Sequence, residues 1–212
     1  MLAVKKAVLW DFGGVIVSSP FEAFRRFESE HGLPIDFIRG VNATNPHSNA
    51  WALMERSEIT TDQFDDLFGR EAEALGHHVR GADVLSLIHG DVRPEMVGML
   101  DRVKGAGLLV ACLTNNIVDS TNTGGDARSV QIADIMSRFD VVVESSKVGV
   151  RKPETRFYEI ACDLLGVEPE ECVFLDDLGI NLKPAAAMGM TTIKVTSVAQ
   201  AIADLNAALG LA

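Results

Sequence analysis

Five short apolar runs, each ending in polar or glycine-containing sequence, constrain this chain more than any other feature. They are KAVLW (Lys6–Trp10), LLVACL (Leu108–Leu113), VVV (Val141–Val143), CVFL (Cys172–Leu175) and TTIKV (Thr191–Val195). Their apolar character is largely continuous, without the polar alternation of a sheet with one wet face, so they fit a parallel sheet covered on both sides. Helical patterns between the later strands supply the cover. Pro94–Lys104 opens with proline in its first turn and carries Met96, Val97, Leu100 and Val103 at helical spacing. Pro153–Leu165 also opens with proline and stops before Gly166, and Asn181–Met188 and Ser197–Leu209 complete the alternation. The expected fold is α/β, a doubly wound parallel sheet forming a Rossmann-like core, with ligands beyond the carboxyl ends of the strands.

Between the first strand and Arg93 the pattern is helical only. FEAFRRFESEHG, WALMERSE and TTDQFDDLFGREAEAL are amphipathic, and Thr60 with Gln63 is a capping box for the third. Residues 18–86 are therefore expected to form a small helical cap inserted after the first strand, with 1–17 and 87–212 as the core. NIVDSTNTGGDA (Asn116–Ala127) is polar and long for an α/β connection, and reads as a solvated loop.

The net charge of −11 argues against a nucleic-acid partner, which usually meets a basic patch. The same field repels anions, so an anionic ligand would need a metal or local basic residues. Cys112, Cys162 and Cys172 lie in apolar surroundings without CxxC spacing, as buried thiols of a reducing compartment do. The apolar runs are too short to span a membrane. A cytoplasmic location is expected.

One carboxylate, Asp11, interrupts the apolar stretch AVLWDFGGVIV. Similar polar groups follow other strands: Thr114–Asn115–Asn116 after the second, Lys152 in GVRKPE after the third, Asp176–Asp177 after the fourth. Alone, each is an ordinary turn or cap residue. A parallel sheet brings all of them to one edge, where they supply a nucleophile, a hydroxyl with backbone amides, a cation and an acidic pair. Carboxylates from separate strands in oxygen-rich surroundings suit Mg²⁺.

These motifs, DFGGV (Asp11–Val15), LTNN (Leu113–Asn116), RKP (Arg151–Pro153) and FLDDLGINLKPA (Phe174–Ala185), resemble in order and spacing those of the haloacid dehalogenase superfamily. RKPETRFYEIACDLLGV, FLDDLGINLKPAAAMGM and MERSEIT look like its capped phosphatase branch, near the amino-terminal phosphatase domain of soluble epoxide hydrolases. The resemblance implies that Asp11 attacks a phosphoryl group and forms an aspartyl-phosphate. It implies that Thr114, the Asn115 amide and Gly14 hold phosphoryl oxygens, and that Lys152 neutralises charge on phosphate and nucleophile. Mg²⁺ would lie on the Asp11 carboxylate, the Gly13 carbonyl and Asp177, with Asp176 acting through water or from behind and Asn181 orienting the loop. The partner implied is a small phosphorylated substrate, and a homodimer through the cap fits the same picture.

Gly13 departs from the pattern. Most phosphatases that the chain resembles carry there a second aspartate, which protonates the leaving group and activates water. General acid–base help of this kind is worth ~10²–10⁴-fold. Branches with glycine at this position still hydrolyse sugar 1-phosphates, and His47 in the cap is a candidate proton carrier. Two other readings stay open: a silent module that binds phosphate or protein, and a haloacid dehalogenase, against which the adjacent Asp176–Asp177 pair argues because that reaction needs no metal. His77–His78 reads as an exposed helix end, Trp51 and Met54 as pocket lining or bundle packing, Arg56 as half of a surface ion pair, and Asp126 and Arg128 as solvated charges.

Overall fold

The computed structural model describes residues 4–88, 90–116 and 127–211. Its strands are β1 (Ala7–Trp10), β2 (Leu109–Thr114), β3 (Val141–Glu144), β4 (Cys172–Asp176) and β5 (Thr191–Lys194). They pair in parallel in the order β3-β2-β1-β4-β5. The period of two along each strand divides the core. Val8, Trp10, Val110, Cys112, Val173 and Leu175 face one side, against α6 (Pro94–Gly105), α7 (Ala127–Ser137) and α11 (Val198–Leu209). Ala7, Leu9, Ala111, Leu113 and Phe174 face the other, against α9 (Thr155–Leu165) and α10 (Gly179–Ala187). Both sheet faces are dry, which is why the strands read as unbroken apolar runs.

Five helices lie between β1 and α6: α1 (Phe21–Glu30), α2 (Phe37–Ala43), α3 (Ala50–Glu55), α4 (Thr61–Ala74) and α5 (Gly81–Ser86). They enclose a cluster of their own built on Phe24, Phe37, Ile38, Val41, Phe64 and Phe68. The Thr60–Gln63 capping box is present, each side chain bonding the other residue's backbone N–H. The two chain segments that join this cluster to the sheet run side by side. Val17 bridges Val92, Ser18 N–H donates to the Asp91 carbonyl at 2.7 Å, and the Asp91 N–H returns to Ser18 Oγ at 2.8 Å. Gly90 permits the approach, since a Cβ there would stand 2.1 Å from the Ser18 carbonyl oxygen.

Two expectations need correction. Pro153 does not open α9. The Lys152–Pro153 peptide is cis, and Glu154 N–H donates to the Arg151 carbonyl, so residues 151–154 form a turn and the helix begins at Thr155. The histidine pair is not a helix end, because α4 stops at Ala74; His78 bonds Glu73, and His77 stands edge-on to Phe37. The short helices α2, α5 and α8 (Ser145–Val148), together with α7, are not apparent from the sequence pattern. Of the polar loop Asn116–Ala127, residues 117–126, Asp126 among them, lie outside the described residues. Among the described residues no helix is long and apolar enough to cross a membrane.

Candidate active site

β1 delivers Asp11 to the carboxyl edge of the sheet. The Asp11 N–H donates to the Leu175 carbonyl at 2.9 Å, which sets Asp11 level with Asp176 at the end of β4. From the turn at 151–154 the Lys152 ammonium reaches between the two carboxylates, 2.8 Å from Asp11 Oδ1 and 2.9 Å from Asp176 Oδ2. All three side chains are buried. Burial pushes the Asp11 carboxyl well above its ordinary value; Lys152 pulls it back, while the charge of Asp176 adds to the rise. Burial by itself would lower the lysine, but Asp11 and Asp176 beside it carry it upward, so it stays charged.

The supports of this triad are specific. Asp176 spends both oxygens on protein donors: Oδ1 accepts from Leu178 N–H at 2.8 Å and from Asn181 Nδ2 at 3.1 Å, and Oδ2 from Asn181 Nδ2 at 3.0 Å and from Lys152. Tyr158 O–H, on α9, donates to the Asn181 carbonyl at 2.7 Å. Asn115 closes a two-way clasp on Lys152: its Oδ1 accepts from the Lys152 N–H at 2.9 Å, and its Nδ2 donates to the Lys152 carbonyl at 3.0 Å. Asn116 bonds Glu144 and Ser146 at the end of β3. Thr114 is buried at the end of β2.

Ligand atoms of Asp11, Asp176 and Asp177 lie within 4.8 Å of one another. Burial, then the charge of Asp176, holds the Asp177 carboxyl above its ordinary value. An all-oxygen, carboxylate-rich set of this size fits a hard divalent cation such as Mg²⁺. Because Asp176 is committed to Lys152, Asn181 and Leu178, the Asp11 and Asp177 carboxylates are the ones that could hold such a cation. The turn after Asp11 gives its two glycines different roles. Gly14 has φ of +77°, and a Cβ on it would stand 2.3 Å from Asp177 Cγ. Gly13 lies outside the left-handed region, and a Cβ there would meet nothing within 4 Å. The backbone turn therefore depends on Gly14, while Gly13 leaves open space beside the nucleophile.

The other candidates resolve individually. His47 is exposed, and its carbonyl accepts from Arg56. Arg56 pairs with Glu58 at 2.7 Å, as expected. Met54 is buried in the helical cluster and Trp51 packs edge-on to Phe24 and Phe64, so the bundle-packing reading holds for both. Arg128 is not a solvated charge: it donates to the Gly90 carbonyl, in one of the segments leading to the helical cluster. The three cysteines are free and buried.

Sequence reasoning missed four residues around the site. Arg93 donates to the Gly14 carbonyl at 2.6 Å and Tyr158 braces Asn181. Glu55 and Arg151 meet at 2.6 Å between α3 and the lysine turn. Arg151 stood next to Lys152 in a quoted motif, and Glu55 in MERSEIT, but nothing in the spacing links two residues so far apart in the chain.

The chain is similar to known proteins. The mouse proteins acyl-CoA dehydrogenase family member 10 and bifunctional epoxide hydrolase 2 are 34% and 31% identical to it over 97% of this chain. The chain spans only 19% and 39% of their respective lengths. The phosphatase MT3486 of Mycobacterium tuberculosis is 32% identical over 87% of this chain and 84% of its own. A Bacteroides thetaiotaomicron enzyme of the same superfamily, solved with magnesium and inorganic phosphate, superposes with a TM-score of 0.58 at 20% identity, covering 91% of this chain and 94% of that one. A family model described as haloacid dehalogenase-like hydrolase matches residues 5–189, from the strand that carries Asp11 to the glycine before β5. With that match across the sheet and its polar edge, the chain belongs to the haloacid dehalogenase-like hydrolases.

Proposed function

We propose that the protein is a Mg²⁺-dependent phosphatase of a small phosphorylated metabolite, working through an aspartyl-phosphate on Asp11. The observation that carries this reading is the Lys152 ammonium at 2.8 Å from Asp11 Oδ1, beside an acidic cluster that includes Asp177. The Phe12 N–H and Lys152 both engage Oδ1, which fixes the orientation of the nucleophilic carboxylate. Thr114 and the backbone amides at Asn115 and Gly14 surround the incoming phosphoryl oxygens, and Lys152 offsets their charge. Phosphoryl transfer asks mainly for such positioning and charge stabilisation. A bound Mg²⁺, held by Asp11, the Gly13 carbonyl and Asp177, would add Lewis-acid stabilisation of the phosphoryl group. Asp176 and Asn181 keep Lys152 and the Asp177 loop in place from behind. Residues 18–86 act as a cap that selects the substrate.

Open space at Gly13 bears on the leaving group. Without a carboxyl there, departure of an alkoxide receives little proton help, so esters whose leaving groups need none are favoured. The haloacid dehalogenase alternative is weaker, because three adjacent carboxylates with only one lysine between two of them are a liability for a reaction that uses no cation.

The test is hydrolysis of an aryl phosphate, a sugar 1-phosphate and a primary alkyl phosphate, with and without Mg²⁺. Turnover is expected for the first two, dependent on Mg²⁺ and lost in Asp11→Asn. No turnover of any ester by a folded protein that binds Mg²⁺ would overturn the reading.

A further inference from the structure

Glu55 closes α3, one of the helices of residues 18–86, yet its carboxylate points into the edge of the sheet and is buried. Its Oε2 lies 2.6 Å from Arg151 Nε, and its Oε1 accepts from Trp51 Nε1 at 2.8 Å. The Glu55 backbone takes part as well: its carbonyl accepts from Ser145 Oγ at 2.6 Å, and that hydroxyl in turn accepts from the Asn116 N–H. Arg151 is grasped a second time from the helical segment, through the Pro46 carbonyl at 3.0 Å.

Arg151, which the Glu55 carboxylate meets, adjoins Lys152, and Asn116, tied to the Glu55 carbonyl through Ser145, adjoins the Asn115 that clasps it. Arg151 precedes Lys152 in the turn, and Arg151 N–H is fixed by Glu154 Oε1 at 3.1 Å. Asn115 binds both backbone polar groups of Lys152. A path therefore runs from the Glu55 carboxylate through Arg151, which precedes Lys152 in the chain, and along the Lys152 side chain to Asp11 Oδ1. The Glu55–Arg151 pair is nearly dry on both sides, with side-chain exposures of 8% and 16%. A desolvated ion pair is a poor way merely to glue two surfaces, since apolar side chains of similar size commonly do as well. What it adds is a distance-dependent link between α3 and the turn. The contact is also off axis: neither Glu55 Oε2 nor Arg151 Nε makes a directed hydrogen bond, so a small shift of α3 against the turn would change its strength.

We propose that Glu55 is a positioning residue: through Arg151 it makes the placement of the Lys152 ammonium depend on the position of the helical segment 18–86. The lysine is in register with Asp11 when α3 is seated, so substrate enclosure and nucleophile activation are coupled. The kinetic consequence rests on the phosphatase reading, whereas the structural one does not.

Glu55→Gln keeps the size of the side chain and an acceptor for Trp51 but removes the charge. In the full chain, with Mg²⁺ and an aryl phosphate too small to need the cap, kcat is expected to fall roughly tenfold or more with KM little changed, as loss of one charge-assisted contact in the barrier would produce. The double variant Glu55→Gln/Arg151→Gln, which leaves no unpaired charge, is expected to melt near the wild type and still show the low kcat. Independently of turnover, exchange of the Lys152 amide hydrogen is expected to accelerate in Glu55→Gln, because that amide is closed only by Asn115. A folded variant with unchanged kcat, or with unchanged Lys152 exchange, overturns the proposal. A wild type that turns over no ester instead sinks the phosphatase reading, and amide exchange alone then decides whether Glu55 positions Lys152.

Discussion

The Lys152 ammonium stands 2.8 Å from Asp11 Oδ1, with the lysine side chain 1% and the aspartate side chain 11% exposed. Two carboxylates and one ammonium share this space, since Asp176 is 2.9 Å from the same nitrogen. Removing the cation and removing the nucleophile should therefore have different costs. Lys152→Met leaves two buried carboxylates without a cation, a change of the class that costs about 3–5 kcal/mol. Asp11→Asn leaves Lys152 paired with Asp176. Both variants are expected to lose phosphatase activity, but only Lys152→Met should show a large drop in melting temperature. An Asp11→Asn protein that still turns over would refute the assignment of the nucleophile.

Gly13 and Gly14 are adjacent and look interchangeable in DFGGV, but the structure separates them. A side chain at Gly13 meets open space, so Gly13→Asp is expected to fold with unchanged stability. It should raise turnover of alkyl phosphates by up to ~10²–10⁴-fold, the usual yield of general acid–base help, and of aryl phosphates far less. Equal loss on both substrates would mean that the new carboxylate disturbs the cation site rather than supplying a proton.

Gly14→Ala should behave in the opposite way. Its φ of +77° costs a side-chain-bearing residue about 1–2 kcal/mol, and the new methyl would displace the Asp177 carboxylate. The expected result is weaker Mg²⁺ binding by calorimetry together with a lower melting temperature, with Gly13→Ala as the silent control. Retention of full Mg²⁺ affinity in Gly14→Ala would remove Asp177 from the cation site.

The contrast between these glycines illustrates what the sequence could and could not disclose. The strands were legible because a parallel sheet buried on both faces writes itself as unbroken apolar runs, and polar residues at their ends converge by topology alone. Asp11, Lys152, Asp176 and Asp177 stood out for that reason. Side-chain contacts that cross the fold leave no such trace. Glu55 reads as one more charge on an amphipathic helix, and only the packing of α3 against the 151–154 turn shows it facing Arg151. Asn115 was anticipated for its amide alone, but its side chain clasps Lys152 from 37 residues away. Pro153 misled because proline serves a turn as readily as a helix start, and the hydrogen bond from Glu154 to Arg151 that decides between them is invisible in the sequence.

The acidic cluster predicts how pH and Mg²⁺ should act together. Burial raises the carboxyls of Asp11 and Asp177 above their ordinary value, and the charge of Asp176 adds to both. A carboxyl raised in the folded state stabilises the fold in its protonated form. That contribution is complete below the unfolded value and is lost as pH rises through the folded one. The metal-free protein should therefore lose stability from these groups as pH climbs from about 4 towards neutrality, a range that begins at the ordinary carboxylate value. On the proposed reading Mg²⁺ would bind the folded, ionised cluster, so its stabilising effect should grow over the same range. Asp177→Asn removes one of the confined charges along with a cation donor. Its metal-free melting temperature at neutral pH is expected to rise by about 2–4 °C, the shift that ~1 kcal/mol produces in a chain of this size, and to respond no longer to Mg²⁺. Thermal melts of wild type and variant at pH 5 and 7.5, with and without Mg²⁺, check this directly. A variant that melts lower than the metal-free wild type, or that gains stability from Mg²⁺ as the wild type does, would show that Asp177 is neither confined by its neighbours nor a donor to the cation.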